Sequence, residues 1–250
     1  KLCKANRVKT YLTLNTILYD HDLILMKKIC DTAKAVGITA IIACDLSAMQ
    51  YANSIRLEIH ISTQQNVSNI EAVKFFAQYA DVIVLARELT LTQIKKIVDD
   101  IKKEKIKGPN NKLIQIEIFA HGALCVAISG KCYMSLATRN ATANRGACTQ
   151  TCRHAYRVTD EETGEELVID NKYVMSPKDL CTIGFLDEIL NAGVNVLKLE
   201  GRGRSPDYVH TVTKCYREAV DAVFAGTYTK AKITKWTKEL ESVYNRGLWH

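Results

Sequence analysis

The chain has 250 residues, of which 47% are hydrophobic and 24% charged, so it is long enough and apolar enough to bury a full core. That size excludes a small scaffold stapled by disulfides, and no apolar run reaches the ~18 residues of a membrane helix. The formal net charge of +7 suits a polyanionic partner such as RNA, but a solvated lysine-rich surface accounts for it equally well.

Short β-rich runs alternate with amphipathic stretches of helical period along most of the chain. Helices are predicted over residues 22–36, 69–79 and 90–101, the last capped by Thr90, and a long helix is predicted to begin at Ser205–Pro206. The valine, isoleucine and leucine content of the β-rich runs predicts parallel strands that are buried on both faces. Seven strands are predicted, at residues 7–15, 37–45, 57–63, 81–87, 113–122, 172–176 and 194–201.

Seven strands in repeated β–α units favour a TIM-type (β/α) barrel, of the α/β class, over a doubly wound open sheet. We expect one barrel domain over residues 1–250, incomplete at its N terminus, with a further C-terminal domain in the full-length protein. Polar residues follow the predicted strands and would meet at the carboxyl face of a barrel, where active sites form. Polar turns are also common at strand ends, so this placement alone does not identify a site.

Residue type divides these strand-end side chains into two groups. Arg87, Lys178 and Arg202 can bind a carboxylate or a phosphate, although ion pairs with Glu88 or Glu200 would make the arginines structural. Amide and carboxylate side chains can instead read the edge of a nucleobase through hydrogen bonds. The residues predicted to do so are Asn15, Asp45 and Gln64.

Five of the nine cysteines gather on loop-like sequence after the fifth predicted strand. Four of them lie in an insertion at residues 122–172, which is rich in small polar residues and ends in a predicted β-hairpin that turns at Thr163–Gly164. Long insertions after barrel strands commonly carry function. By contrast, Cys30 and Cys44 lie in apolar runs and are predicted core residues. The five are Cys125, Cys132, Cys148, Cys152 and Cys181, the last at the predicted start of a helix.

The spacing of these thiols bears on what they bind. A gap of C-x₆-C is a poor match to a structural zinc site, whereas an iron–sulfur cluster accepts ligands that are scattered along the chain. Zinc binding and redox-active or free thiols remain alternatives. Cys148 and Cys152 would share one face if their segment were helical. Thiolates available to a metal suit a reducing compartment, so we expect a cytoplasmic protein without a membrane partner.

Several motifs resemble, in the same order, those of the collagenase-like peptidases, peptidase family U32. The pattern E-x-F-x-H-G-A-L-C-x₆-C-x₂-S spans Glu117–Ser135, and NRGACTQTCRHAY, MSPKDLC and LKLEGRGRSPDYV resemble further blocks of the family. The similarity covers nearly the whole chain, and Glu200–Ser205 departs mildly from the family's EGRMKS block. The resemblance implies a barrel fold. The family name implies proteolysis, but better-understood members are similar to oxygen-independent hydroxylases of RNA bases or the ubiquinone ring, with prephenate as co-substrate.

The resemblance also implies a ligand set and a substrate. Relatives in the ubiquinone pathway bind a 4Fe–4S cluster through four cysteines, which match Cys125, Cys132, Cys148 and Cys181 here, with Cys152 as an alternate. The chain looks most like the branch that hydroxylates the wobble uridine of tRNA. That likeness implies tRNA and the dicarboxylate prephenate as partners.

Residue chemistry favours hydroxylation over proteolysis. The sequence contains neither G-x-S-x-G nor H-E-x-x-H, and a peptidase would have to use a pair such as Cys125 with His121. We therefore predict an iron–sulfur enzyme that hydroxylates a tRNA wobble uridine, with a collagenase-like peptidase and a non-catalytic iron–sulfur scaffold as alternatives. Tyr133 and Tyr156 are predicted to stack on the base. The predicted catalytic residues are His121, Arg87, Lys178, Glu200 and Arg202.

Overall fold

The computed structural model describes residues 1–166 and 175–249, and its centre is a curled, mainly parallel sheet. The strands are β1 Tyr11–Leu14, β2 Ala40–Ala43, β3 Glu58–Ile61, β4 Val82–Val84, β5 Gln115–Gly122, β6 Asp179–Cys181, β7 Val196–Leu199 and β8 Leu248–Trp249. The helices are α1 Leu2–Ala5, α2 Leu23–Ala35, α3 Leu46–Ser54, α4 Ile70–Phe76, α5 Leu91–Glu104, α6 Met134–Arg139, α7 Leu186–Asn191, α8 Pro206–Phe224 and α9 Lys230–Ser242.

Six strands run parallel and form a half-barrel. β1 to β5 pair in sequence order, and β7 lies against β5. The α/β class and the parallel sheet are therefore confirmed, and the half-barrel is consistent with an incomplete TIM-type barrel. None of the helices in the described ranges is both long and apolar enough to cross a lipid bilayer.

The sixth strand is predicted at residues 172–176, but the structure has a strand further along the chain, at Asp179–Cys181. Residues 172–174 lie outside the described residues, and Met175 and Ser176 are not in a strand. The strand in this part of the chain is β6, which is antiparallel to β5 through the pair His121–Cys181. Cys181 therefore ends a strand and does not begin a helix, since α7 starts at Leu186.

Two hydrophobic cores hold the sheet to its helices. In the first, alternate strand residues such as Ile41, Ile59 and Ile116 pack on α2 to α5, as the two-residue period of a strand dictates. The second core lies around α8, α9 and β6, where Tyr216 and Trp236 are almost fully buried. The first core contains residues of β2 to β5, and the second contains Ala120 of β5 and Cys181 of β6.

The predicted helix starts agree with the structure. The Thr90 hydroxyl accepts a hydrogen bond from the backbone N–H of Gln93, whose side chain accepts one from the N–H of Thr90, forming a capping box. Ser205 caps α8 by accepting from the N–H of Tyr208, with Pro206 in the first turn. Both caps are confirmed.

The described part of the insertion is mostly irregular. It contains α6 and two short 3₁₀ turns, one of which is Thr151–Arg153. The segment between Cys148 and Cys152 is not helical, because Gln150 adopts a left-handed conformation with φ of 55°, so the condition for the two thiols to share a helix face is not met. The predicted hairpin turn is present, with Thr159 bridged to Glu166. The rest of its returning arm lies outside the described residues.

Candidate active site

A cavity of about 610 Å³ opens where the carboxyl ends of the parallel strands meet. Active sites form at this edge because the loops after the strands converge there. The structure brings eight of the residues singled out from the sequence to its wall. They are Asn15, Gln64, Arg87, Cys125, Cys148, Cys152, Glu200 and Arg202.

Three loop cysteines share this cavity. Cys125 and Cys148 are exposed and Cys152 is half-buried. Burial raises the pKa of the Cys152 thiol, and the neighbouring thiols of Cys125 and Cys148 raise it further, against the opposing effect of Arg153. Within residues 1–166 and 175–249, no three histidine, cysteine, aspartate or glutamate side chains are grouped so that they could hold one metal ion. The three thiols are thus neighbours without forming a mononuclear site.

The other two predicted ligands lie elsewhere. Cys132 is half-buried on the same loop but does not line the cavity. Cys181 is fully buried in the second core, where burial raises the pKa of its thiol. The structure therefore gathers Cys125, Cys148 and Cys152, and it leaves Cys132 and Cys181 outside that group.

The cysteines predicted to be core residues are confirmed as such. Cys30 is fully buried in α2, and Cys44, at the end of β2, is 3% exposed. The Cys44 thiol donates a hydrogen bond to the backbone carbonyl of Asn15 at 2.9 Å, and burial raises its pKa to about 12. A thiol that stays protonated is a poor metal ligand, which agrees with a core role for Cys44.

Positive charge dominates the cavity wall. Among the described residues it carries five arginines against one carboxylate, that of Glu200. Arg204 and Arg246 both donate hydrogen bonds to the buried carboxylate of Asp179, at 2.9 and 3.1 Å. The arginines are Arg87, Arg153, Arg202, Arg204 and Arg246. Such a wall attracts anions, because a cleft lined by one sign of charge concentrates the opposite sign.

Arg87 is the most unusual of these arginines. Its guanidinium lies 5.5 Å from the centre of the Phe119 ring. Its Nε is buried and has no hydrogen-bond partner among the described residues. A buried donor without a partner costs free energy, and an anionic ligand in the cavity would remove that cost.

The sequence left open whether two arginines were held in ion pairs with their neighbours. Neither Arg87–Glu88 nor Glu200–Arg202 forms an ion pair in the described part of the chain. Glu200 instead accepts a hydrogen bond from the backbone N–H of Arg202 at 2.8 Å. The Arg87 and Arg202 side chains are therefore available to a ligand.

The close approach of β5 and β7 explains one glycine at the site. Gly122 ends β5 with φ of +107°, and a Cβ at this position would lie 2.5 Å from the backbone carbonyl oxygen of Glu200. Only glycine tolerates both the backbone conformation and the contact. Gly122 thereby allows Glu200 to reach the cavity wall.

His121 does not reach the cavity. It is 1% exposed, and its Nδ1 lies 3.4 Å from the hydroxyl of Tyr216. Burial lowers its pKa to about 4, with Arg204 adding to the effect and Asp179 opposing it. Among the described residues it makes no hydrogen bond to Cys125, so the Cys125–His121 pair considered for a peptidase is not formed here.

Four further predicted site residues lie outside the cavity wall. Asp45 caps α3 by accepting from the N–H of Ser47, and Lys178 packs beside Gly247. The Tyr156 hydroxyl donates to the carbonyl of Thr151 at 2.8 Å, which is a structural role within the loop. Tyr133 is 74% exposed at the start of α6.

Two cavity residues had no signal in the sequence that pointed to the site. Tyr244 and Arg246 follow α9 near the end of the chain and line the cavity. They arrive there because β8 pairs with β6, a contact between distant segments. An arginine and an aromatic residue in a short loop carry no motif, so only the tertiary structure identifies them.

A smaller apolar cavity of about 200 Å³ adjoins the main one. The two share Arg87, Phe119 and Leu124 in their walls. The remaining wall is almost entirely aliphatic or aromatic, with Phe185 and Leu180 among its residues. Arg87 therefore lies between a polar chamber and an apolar one.

The half-barrel has a cavity lined by thiols and arginines at the carboxyl ends of its strands, the position at which active sites form in folds of this kind. The sequence profile of Peptidase family U32 matches residues 1–250, and the chain belongs to that family. The chain is 51% identical over 249 residues to a protein named collagenase from Porphyromonas gingivalis, covering 100% of this chain and 60% of that protein.

Other relatives carry names of a different kind. The chain is 33% identical over 256 residues to tRNA hydroxylation protein P1 of Bacillus subtilis, covering 98% of this chain and 57% of that protein. It is 36% identical over 216 residues to the 23S rRNA 5-hydroxycytidine C2501 synthase of Escherichia coli, covering 86% of this chain and 31% of that protein. The chain thus spans 60% or less of the length of these three relatives. No solved structure matches it at a significant level.

Proposed function

We propose that the protein is a cytoplasmic enzyme of TIM-barrel type that hydroxylates an RNA base, the wobble uridine of a tRNA. The reaction would proceed without dioxygen, with prephenate as co-substrate and a 4Fe–4S cluster as cofactor. One observation carries the proposal: a single cavity at the strand ends collects three loop thiols and five arginines. Relatives named for the hydroxylation of tRNA and rRNA support the choice of an RNA substrate.

The loop thiols on the cavity wall are the candidate ligands of the cluster. Cys125, Cys148 and Cys152 share one wall, yet no three ligand side chains in the described ranges surround one ion. A cluster takes thiolates from separate segments, and the arginines offset their charge. The fourth ligand would be Cys132, on the same loop, or Cys181, which would have to leave the core. When bound, such a cluster supplies electron-transfer or Lewis-acid chemistry.

The arginines fit a dicarboxylate. Arg87 has an unpartnered buried Nε, and the Arg202 side chain is free of Glu200. Guanidinium groups bind carboxylates with two parallel hydrogen bonds, so two such groups at one cavity suit two carboxylates. Asn15 and Gln64, on the same wall, can donate and accept hydrogen bonds at the edge of a uracil ring.

Nucleoside analysis tests the reaction. RNA from cells that lack the protein is digested and its nucleosides are measured by mass spectrometry, before and after the gene is restored. We expect hydroxylated uridine to disappear and return. Restoration with Cys125→Ala should fail and restoration with Cys30→Ala should succeed, because one thiol lines the cavity and the other is core. Unchanged hydroxylated nucleosides in the deletion strain refute the proposal.

Iron and sulfide analysis after anaerobic purification tests the cofactor. Single Cys→Ala variants at Cys125, Cys148 and Cys152 should lose iron. Cys132→Ala and Cys181→Ala identify the fourth ligand, because only the variant that has lost a ligand thiol should lose iron. Wild-type protein that contains neither iron nor sulfide contradicts the cluster. Iron with no hydroxylated product would favour the non-catalytic scaffold instead.

The collagenase name of a 51% identical relative makes proteolysis the second candidate. A peptidase needs an activated nucleophile or a metal-bound water. In the described part of the chain neither a Cys–His hydrogen bond nor a three-ligand metal site is present. Release of peptides from denatured collagen by metal-free protein, abolished in Cys125→Ala and unaffected in Cys30→Ala, would favour this candidate over hydroxylation.

A further inference from the structure

The cavity rim contains an aromatic ring that the sequence did not point to. Tyr244 lines the cavity and is 62% exposed, although it directly follows Val243, which is buried in the second core. On its other side the segment is tied to β6, because the backbone carbonyl of Gly247 accepts a hydrogen bond from the N–H of Asp179 at 2.9 Å. An exposed aromatic side chain on a fixed backbone is a preformed surface, with little conformational entropy left to lose on binding.

One face of this ring is already held in position. The Arg204 guanidinium lies 4.4 Å from the centre of the Tyr244 ring and 5.1 Å from that of Tyr208. Arg204 is in turn held by the buried carboxylate of Asp179 at 2.9 Å. The guanidinium therefore cannot swing away to solvent at low cost. Tyr244 therefore lies against a guanidinium that a buried carboxylate holds in place, while the residue remains 62% exposed.

The charge around the ring selects the kind of ligand. Arg246 lies 5.6 Å from the centre of the Tyr244 ring, and Arg202 and Arg153 line the same cavity. Single-stranded RNA is bound by aromatic rings on which bases stack, next to cations that contact phosphates. The combination favours RNA over a polypeptide.

We propose that Tyr244 stacks on an unpaired base of the RNA substrate at the mouth of the cavity, with Arg204 as the residue that positions the ring. This inference rests on the proposed function, because it takes the substrate to be RNA. It gives the stacking role to Tyr244, where the sequence had suggested Tyr133 and Tyr156.

A fluorescent RNA tests the contact directly. The probe is a short RNA stem-loop with pyrrolocytidine in its loop, whose emission falls when the base stacks, and the comparison probe has an abasic nucleotide at that position. Wild-type protein and Tyr244→Phe should bind the first probe equally and quench it. Tyr244→Ala should bind it about ten-fold more weakly and without quenching, as the loss of one stacked base predicts. All three should bind the abasic probe alike.

Tyr19→Ala is the matched control. Tyr19 is 50% exposed and has the Arg145 guanidinium 4.1 Å from its ring centre, but it does not line the cavity. This variant should bind and quench like wild type. Melting curves for each variant separate a lost contact from a lost fold.

Several outcomes overturn the inference. One is that wild type binds neither probe. A second is that Tyr244→Ala binds and quenches the pyrrolocytidine probe as wild type does. A third is that Tyr19→Ala loses as much affinity for this probe as Tyr244→Ala does. A collagen-derived peptide whose binding, rather than that of RNA, depends on Tyr244 also overturns it. If the binding results are as expected but no hydroxylated nucleoside forms, the reaction fails and the stacking contact stands.

Discussion

The buried imidazole of His121 makes the stability of the protein depend on pH. Burial lowers its pKa from the ordinary value of 6.5 to about 4, while the unfolded chain keeps the ordinary value. Between these limits the unfolded chain binds a proton that the folded protein does not bind. The contribution of the neutral His121 imidazole to the free energy of unfolding is therefore complete above pH 6.5, and it is lost as the pH drops towards 4.

The size of the effect follows from the two pKa values. Each tenfold change in proton affinity corresponds to about 1.4 kcal/mol, so the interval from 6.5 to 4 amounts to about 3 kcal/mol. Little screening by solvent is expected, because the His121 side chain is 1% exposed. Between pH 6.5 and 4, the unfolding free energy of wild type should therefore fall by about 3 kcal/mol more than that of His121→Gln, because glutamine cannot take up the proton.

Urea unfolding at a series of pH values between 6.5 and 4 measures this difference. The compared quantity is the change in unfolding free energy with pH, so any constant cost of the substitution cancels. His154→Gln, which replaces an exposed histidine, is the control for the exchange of histidine for glutamine. The same slope in His121→Gln and in wild type would refute the reasoning, since it would mean that His121 takes up its proton without unfolding.

Three further substitutions test the site's architecture. Asp179→Ala leaves the guanidinium of Arg204 without its buried partner and should lower the unfolding free energy by about 3–5 kcal/mol in urea titrations; a loss that is too small to measure would contradict the buried pair. Gly122→Ala should cost about 2 kcal/mol or more by the same measurement, because its Cβ would meet the Glu200 carbonyl and its φ is positive; wild-type stability would show that the backbone adapts. Arg87→Gln should weaken prephenate binding about ten-fold or more in calorimetry without lowering the melting temperature, because it removes an unpartnered buried donor; undiminished affinity would remove Arg87 from the ligand site.

The local order of the chain was readable from the sequence. The alternation of strands and helices, the caps at Thr90 and Ser205 and the burial of Cys30 and Cys44 agree with the structure. Each depends on neighbours a few residues away, through the period of an element or the hydrogen bonds at its first turn. The strand-end placement of Arg87 belongs to the same class of inference.

Other features depended on contacts between distant segments. The antiparallel course of β6 turns Cys181 into the core, while an irregular loop takes Cys152 to the cavity. The pairing of β8 with β6 brings Tyr244 to the rim, and the second core encloses His121. The sequence by itself determined the α/β elements and a loop rich in thiols. The tertiary structure alone decided which thiols, arginines and aromatic rings meet, because strand pairing joins residues far apart in the chain and local periodicity carries no record of it.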